Sequence, residues 1–432
     1  MRDFARSDDA AVQKQLDRLG ALSIPDGRLG LETIAALLAR LGNPHRRLPP
    51  VFHVAGTNGK GSTCAFLRAM LEAQDLRVHV TTSPHLVRYN ERIRVAGQLI
   101  EDDRLAELLA QVLDAGEDLS PSFFEVTIAA AFTEFARVPA DACVVEVGLG
   151  GRFDATNVLA PDVLAACGIA ALGIDHERFL LAPEDGVPED PLSRIAFEKM
   201  GIAKPNVPVS ALAPPSAEAG ATMLRLATDR KLDLRVEGFD WAYRTDGDTM
   251  RVTAAGTELV LPLPTLPGRH QLANAALASA MILSQDRITN SPEAMAEGIR
   301  KAIWPARLQR MRSGELAGKR EVWLDGGHNC DAGKVLAQHF RGRHLHLVIG
   351  MLEAKDPQAI TGPLEGCLES KTIVPVPGHD WHAANRFGPD AKAASDLTEA
   401  IAALPDDGLP VLIAGSLYLA GEALRLNGEL PD

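Results

Sequence analysis

"HVAGTNGKGST", residues 53–63, lies between a short apolar run, Val51 to Ala55, and a stretch in which Cys64, Leu67, Met70 and Leu71 fall near a helical period. A loop joining a strand to a helix is where a phosphate cradle forms. Its glycines let several backbone N–H groups converge, and the helix N-terminus adds partial positive charge. The standard phosphate loop reads G-x-x-x-x-G-K-[ST]. Here Val54 takes the place of the first glycine, and Gly61 separates Lys60 from Ser62. The competing reading is a hairpin turn at Asn58-Gly59, since Asn-Gly is a strong hairpin signal. The helical spacing that follows favours a phosphate loop, with Gly56, Gly59 and Gly61 providing the bends and Lys60 a mobile cation.

Further apolar runs recur downstream: Val78 to Thr82, Ala142 to Val147, Val163 to Ile169 and Val207 to Ala211, with helical patterns between them. Continuous runs of this length suit strands buried on both faces of a parallel sheet. The second half repeats the style at Glu321 to Leu324, Leu345 to Ile349, Ile373 to Val376 and Val411 to Ala414. Residues 232–264 alternate like strands of an antiparallel flap. Ser291-Pro292 has the form of a helix start. These patterns predict an α/β protein of two domains. Residues 1–290 would form a P-loop-type parallel-sheet ATPase domain carrying the small antiparallel flap, and residues 291–432 a Rossmann-like α/β domain.

Composition narrows the function classes. The 432 residues are 46% hydrophobic and 23% charged, with a formal net charge of -13. Nucleic acid and anionic lipid both select for a basic surface, so neither is expected as a partner. The longest apolar stretch, Val163 to Ile174, falls short of the roughly 20 residues that span a bilayer, and the N-terminus carries no leader pattern. A cytoplasmic protein is the expectation. The cysteines Cys64, Cys143, Cys167, Cys330 and Cys367 form no C-x-x-C pair and are expected to be small buried hydrophobes.

Acids and hydroxyls gather where the strands end. Glu146 closes an apolar run in "CVVEVGLGGRFDATN", and a buried carboxylate there needs a cation or a donor. Glu146 is either a magnesium ligand or a plain salt-bridged glutamate. "GIDHE" puts Asp175 and His176 after the next run, and "TTSPHL" puts Ser83 after the second. In an open parallel sheet these ends share one edge, where ligands bind. "WLDGGHNCDAG" (323–333) repeats the arrangement with Asp325 and His328, and "PGRHQLANAALA" (267–278) offers Arg269, His270 and Asn274 at a helix start. Taken singly, each of these could be a structural turn or cap.

Together and in order, "HVAGTNGKGS", "TSPHL..YNERI", "EVGLGGRFDATN", "EKMGIAKP", "GRHQLANA" and "DGGHN" resemble the folylpolyglutamate synthase and dihydrofolate synthase family of the Mur ligase superfamily. The likeness runs from "LLARLGNPHRRLPPVFHVAGTNGKGS" to "AGSLYLAGEAL", nearly the whole chain. It implies an ATP-dependent ligase that joins L-glutamate to the carboxylate of dihydropteroate, and of reduced folates, through an acyl phosphate. The first domain would then be the Mur-ligase-like ATP-binding domain and the second the glutamate-ligase domain of a monomer. By resemblance Asn58, Gly59, Lys60, Gly61 and Ser62 cradle the phosphates, and Ser83, Glu146 and His176 hold one magnesium ion. Lys199, which the residues alone would make an ordinary surface lysine, matches a lysine carried as a carbamate formed with carbon dioxide, an anion that helps to hold a second magnesium. Lys60, His176 and Lys199 are thus the expected catalytic residues. Asn274, Arg307 and Asp325 resemble nucleotide contacts. Phe123, Phe124, Glu125, Thr127, Arg152, Phe153 and Asp154 resemble the pterin-acid pocket, although "FFEV" also reads as core helix. His328 and Ser416 resemble contacts on the glutamate side.

The chain departs from the family pattern in places. Residues 178–194, "RFLLAPEDGVPEDPLSR", are longer than the usual link and are expected to bulge into solvent rather than form a lid. Ala306 stands where glycine is usual, just before Arg307. Gly327 and Cys330 replace the usual alanine and proline, and "GMLEAKDP" keeps Lys355 and Asp356 without the acid that often precedes them. Two other functions compete with the ligase: a cell-wall Mur ligase acting on a UDP-linked peptide, and a non-catalytic nucleotide-binding regulator. The "YNERI" and pterin-pocket stretches speak against the first. Joint retention of Ser83, Glu146, His176 and Lys199 speaks against the second.

Overall fold

The computed structural model describes residues 5–22, 30–289 and 291–431. It falls into two compact units, one comprising the chain to Pro84, Arg88–Thr265 and Gln271–Ile303, the other His85–Val87, Leu266–His270 and Trp304–Asp432. The main sheet of unit one contains β1 (Val51–Ala55), β2 (Val78–Thr81), β3 (Ile93–Val95), β4 (Gln98–Leu99), β5 (Ala142–Glu146), β6 (Leu164–Ile169), β7 (Pro208–Ala211) and β8 (Asp233–Val236). Their order is β4-β3-β2-β5-β1-β6-β7-β8. All pairings are parallel except those of β3 and β4 at one edge. Every residue of β1, β2, β5 and β6 is buried, as continuous apolar runs require of strands covered on both faces. Val51 and Ala55 pack into a cluster with the helices Asp102–Gly116 and Phe123–Arg137. The helix Lys60–Glu72 packs against β1, β2 and β5.

The flap, β9 (Ala242–Asp246), β10 (Thr249–Ala254) and β11 (Thr257–Pro262), is a separate antiparallel sheet in unit one. It is shorter than the sequence suggests. "LDLRV" leaves the expected flap and becomes β8, pairing in parallel with β7. An edge strand covered on one side alternates as a hairpin strand does, so the pattern alone does not separate the two.

Unit two holds β12 (Gln309–Arg310), β13 (Val322–Leu324), β14 (Leu345–Ile349), β15 (Leu368–Ile373), β16 (Lys392–Ala393) and β17 (Val411–Ala414), ordered β12-β13-β17-β14-β15-β16. All pairings but β12 with β13 are parallel. Alternate residues serve opposite faces: Val348, Val411 and Ile413 pack with the helix Leu417–Leu426, whereas Leu347, Ile349 and Leu412 pack with the helices Cys330–His339 and Gln358–Leu364. The third strand of this half is displaced from the expected Ile373 to Val376. The ladder runs over "LESKTI", and Val374 and Val376 are buried beyond its end. Their burial reflects packing, whereas the polar residues of β15 lie near a sheet edge that only β16 covers.

The chain changes unit between Ile303 and Trp304, not near residue 290. Asn290 itself and the first four residues, part of the stretch read as lacking a leader, lie outside the described residues. The helix Pro292–Lys301, capped by the Ser291 side chain as expected, remains in unit one because it lies on the helix Lys60–Glu72. Gly298 permits that approach, since a Cβ there would sit 2.4 Å from the Met70 backbone nitrogen. Three cysteines, Cys64, Cys143 and Cys167, are buried as expected, but Cys330 is exposed and Cys367 partly so. No described helix is long and apolar enough to cross a membrane.

Helix propensity alone would make Gly298→Ala stabilising by about 1 kcal/mol. The clash with backbone reverses the sign, and equilibrium denaturation is expected to show a loss of about 1–3 kcal/mol.

Candidate functional site

The helix after the glycine-rich loop begins at Lys60, with Gly59 as its N-cap in the left-handed region at φ 86°. A Cβ on Gly59 would lie 2.3 Å from Asn274 Oδ1, so glycine here serves both the turn and the approach of Asn274. The Asn274 amide is itself oriented by donating from Nδ2 to Gln271 Oε1 at 3.0 Å. The N–H groups of Thr57 and Asn58 donate to Ala171 O at 2.8 and 3.1 Å. Thr57 Oγ1 donates to Gly173 O at 2.8 Å. These bonds seat the loop on the segment after β6. The N–H groups of Lys60, Gly61 and Ser62 belong to the first helical turn and have no acceptor within the helix. Lys60 Nζ folds back on Gly56 O at 3.2 Å.

A pocket beside this loop is lined by Gly56, Thr57, Lys60, Val147 to Gly150, Asp175, His176 and Lys199. Three of the expected catalytic groups therefore meet at one place. Lys199 ends the helix Pro191–Lys199 and is only 3% exposed. Burial, reinforced by the Lys60 charge, lowers its ammonium pKa to about 7, against the opposing pull of Asp175, Asp154 and Glu198. His176 stands in the left-handed region at φ 53°, and its N–H donates to Asp175 Oδ1 at 2.7 Å.

Glu146, at the end of β5, lies beside Val54 in the β1 register and is 5% exposed. Its Oε2 accepts the Ser83 N–H at 3.1 Å. Ser83 and Glu146 thus form a second pair. Burial first, and then the Glu146 charge, drive the Cys64 thiol pKa well upward while Lys60 opposes them, so Glu146 and Lys60 act on one neighbourhood. Among the described residues no group of three or more His, Cys, Asp and Glu side chains is arranged to hold a metal ion. The set Ser83, Glu146, His176 and Lys199 draws on only two of those residue types.

The segment after Glu146 is held from behind. Asp154 Oδ2 accepts the Leu149 N–H at 2.8 Å, and Oδ1 accepts the Thr156 N–H at 3.0 Å. Asn157 Nδ2 donates to Arg152 O at 2.8 Å, and Lys204 Nζ donates to Asn157 Oδ1 at 2.8 Å. The loop meets the Lys199 helix backbone to backbone: Arg152 N–H donates to Glu198 O at 2.8 Å. A Cβ on Gly151 would lie 2.7 Å from that same oxygen, and one on Gly201 2.4 Å from Arg152 Cα.

The Arg152 guanidinium donates to Glu184 at 2.8 Å and to Glu198 at 2.8 Å, while Arg194 donates to Glu184 at 2.7 Å and stands 3.2 Å from Glu198. Burial alone would lower the Arg152 pKa, but these carboxylates outweigh it. The Arg152 hydrogen bond pulls the Glu184 carboxyl down to about 2. Residues 182–186 and 189–191 are exposed, as expected of a bulge into solvent, while Glu184 ties the segment to the loop and to the Lys199 helix. Arg152, from the loop after Glu146, is a charge partner for Glu184 that no local pattern reveals.

The expected acceptor residues cluster around the same loop, several with their polar atoms already engaged. Phe124 packs on Gly148, where a Cβ would meet its ring at 2.5 Å. Phe123 lies under the Arg92 guanidinium at 5.2 Å, and Phe153 under that of Arg152 at 4.2 Å. "FFEV" does open a helix: Glu125 completes a capping box with Ser122, accepting its N–H at 2.8 Å. Thr127 Oγ1 donates to Phe123 O and lies 2.6 Å from the Tyr89 hydroxyl.

In unit two, both oxygens of Asp325 are engaged by backbone. Oδ2 accepts the Leu308 N–H at 2.8 Å and Oδ1 the Gly327 N–H at 2.7 Å. Ala306 adopts φ 57°, the conformation a glycine would favour, and its carbonyl accepts the Gly326 N–H at 2.9 Å. The turn before Arg307 is thus kept without glycine. Arg307 reaches 3.4 Å from the Cβ position of Gly326. His328 Nδ1 lies 3.3 Å from Gly326 O, and Ser416 caps the helix Leu417–Leu426. His270, named only as part of a helix start, is buried near Asp325 and Arg307; burial lowers its pKa. Thr57 and Gln271 are not singled out by the motifs, although each lies inside one of them.

No family model matches the chain. Curated relatives do. The dihydrofolate synthase/folylpolyglutamate synthase of Escherichia coli is 36% identical over 377 residues, covering 86% of this chain and 81% of its own. That of Bacillus subtilis is 33% identical over 441 residues, covering 91% and 94%. Among solved structures, E. coli FolC in complex with DHPP and ADP superposes with a TM-score of 0.83 at 30% identity, covering 96% of this chain and 97% of that one. A bifunctional folylpolyglutamate synthase/dihydrofolate synthase with Mn, AMPPNP and L-glutamate bound gives 0.82 at 28% identity, covering 98% and 99%. On identity, coverage and fold together, the chain belongs to the dihydrofolate synthase/folylpolyglutamate synthase family.

Proposed function

We propose that the chain is an ATP-dependent, ADP-forming ligase that joins the amine of L-glutamate to the carboxylate of dihydropteroate and of reduced folates. The observation that carries this reading is the pocket shared by Lys60, His176 and Lys199, beside a glycine-rich loop at the ends of β1 and β5. An acceptor carboxylate oxygen attacks the γ-phosphorus of ATP and ADP leaves. The glutamate nitrogen then attacks the acyl carbon, phosphate departs, and the nitrogen releases a proton. Positioning and charge neutralisation dominate such a reaction. Asn58, Gly59, Lys60, Gly61 and Ser62 surround the phosphates, with first-turn N–H groups and the Lys60 ammonium facing the migrating charge.

Lys199 is suited to react with carbon dioxide because its buried amine is about half neutral near pH 7. A lysine of ordinary pKa would be neutral about a thousandfold less often. The nitrogen–carbon bond forms and one proton leaves the neutral amine, so that, counting the proton the ammonium has already lost, a cation becomes an anion by release of two protons. Ser83, Glu146 and His176 would hold one magnesium ion and the Lys199 carbamate would help to hold a second, donors that are mostly hard oxygens. Bound there, divalent ions would neutralise the phosphate oxygens and polarise the phosphoryl group.

Phe123, Phe124 and Phe153 offer apolar walls to a flat heterocycle. Glu125, Thr127, Arg152 and Asp154 shape the acceptor pocket, since their polar atoms are committed to the protein. Asn274, Arg307 and Asp325 are assigned to the nucleotide, and His328 and Ser416 to the glutamate side. The setting implied is a cytoplasmic monomer.

Phosphate release and amide formation are measured with ATP, L-glutamate and either dihydropteroate or tetrahydrofolate. Release that requires both glutamate and an acceptor is expected. No release above background with either acceptor would overturn the ligase reading, and turnover only with a UDP-linked peptide would redirect it.

Lys199→Ala is expected to lower kcat about 100-fold or more while circular dichroism stays unchanged; wild-type turnover would remove the carbamate from the mechanism. In the metal-free wild type at fixed dissolved 13CO2, the NMR carbamate signal is expected to fall at least about tenfold per pH unit below 7, because the reaction consumes neutral amine.

A further inference from the structure

His53 lies in the middle of β1, 0% exposed, on the strand face it shares with Val51 and Ala55. An imidazole among apolar side chains is costly to bury unless it is hydrogen-bonded. Its Nε2 lies 2.8 Å from Thr156 Oγ1. That hydroxyl has one hydrogen, and it lies 2.5 Å from Asp154 Oδ1. Asp154 already accepts the N–H groups of Leu149 and Thr156, as a carboxylate does. The hydroxyl hydrogen therefore goes to Asp154, and Thr156 Oγ1 accepts from His53 Nε2–H. The remaining nitrogen, Nδ1, is buried with no hydrogen-bond partner among the described residues, which suits a bare lone pair better than an N–H. Burial also pushes the His53 pKa down to about 3, with the Lys204 charge adding to it, so the ring stays neutral at working pH.

The direction of every bond then follows: His53 donates to Thr156, Thr156 donates to Asp154, and Leu149 donates to Asp154 from the other side. Leu149 lies between Gly148 and Gly150 in the pocket wall, facing Lys60, His176 and Lys199. Glycines on both sides leave this backbone little intrinsic preference. We propose that His53 is a positioning residue of the ligase reaction, acting through Thr156 and Asp154 to fix the Gly148–Gly150 backbone against the pocket. This inference rests on the ligase reading. Its bland competitor is a core histidine that contributes to stability alone.

The test has two parts. In the wild-type protein, 15N NMR of the histidine rings, with His53 assigned by comparison with His53→Phe, is expected to show protonated Nε2 and bare Nδ1. The Nδ1–H tautomer would overturn the relay whatever the enzyme acts on. In kinetics, Thr156→Val removes the hydroxyl and Thr156→Ser keeps it. The valine variant is expected to lose about 10- to 100-fold in kcat with KM for ATP within about twofold of wild type, and the serine variant to stay within about threefold in kcat. Equal kcat for both variants, high or low, would overturn the positioning role. Failure of the wild type on every acceptor would sink the ligase reading and leave the tautomer result standing.

Discussion

The site depends on one close contact, between the loop Gly148–Arg152 and the chain around Lys199. Two glycines interlock there. Gly151 lies against Glu198 O and Lys199 Cα, and Gly201 against the Arg152 backbone, each at distances no side chain could occupy. The hydrogen bond from Arg152 N–H to Glu198 O closes the same contact. Its consequence is electrostatic. With the loop seated, Lys199 is taken out of water near Lys60, and its ammonium is destabilised. The Arg152 side chain, directed away, meets Glu184 and Glu198 instead.

Polar residues behind the loop then have a common purpose. Asp154, Thr156, Asn157 and Lys204 commit their hydrogen bonds to backbone, to each other or, for Thr156, also to His53. Asp325 does the same in unit two, joining the turn at Ala306–Leu308 to Gly327. Ala306 accepts a left-handed conformation that costs about 1–2 kcal/mol. That strain is borne by surrounding bonds, including Gly326 N–H to Ala306 O. In both units the backbone, more than the side-chain inventory, determines where the candidate groups stand.

Much of this was legible in the residues. The parallel core showed in continuous apolar runs, because strands buried on both faces have no polar period to hide. The glycine-rich loop showed in its strand-to-helix setting. The family likeness singled out Lys199, but its burial was invisible: a lysine followed by Met-Gly has no local mark of a covering loop. β8 and the Glu184 pairing depend on partners distant in sequence. The strand predicted at Ile373 to Val376 failed because burial and ladder pairing part company at the end of β15. His53 hid within the opening motif itself, its partner Thr156 lying beyond the next two parallel strands of the chain.

Burial under the seated loop lowers the Lys199 ammonium pKa to about 7. An NMR titration of the Lys199 side chain in metal-free, carbon-dioxide-depleted protein measures this directly, with the resonance assigned by Lys199→Ala. A midpoint near 7 is expected. A midpoint near the ordinary 10.5 would contradict it.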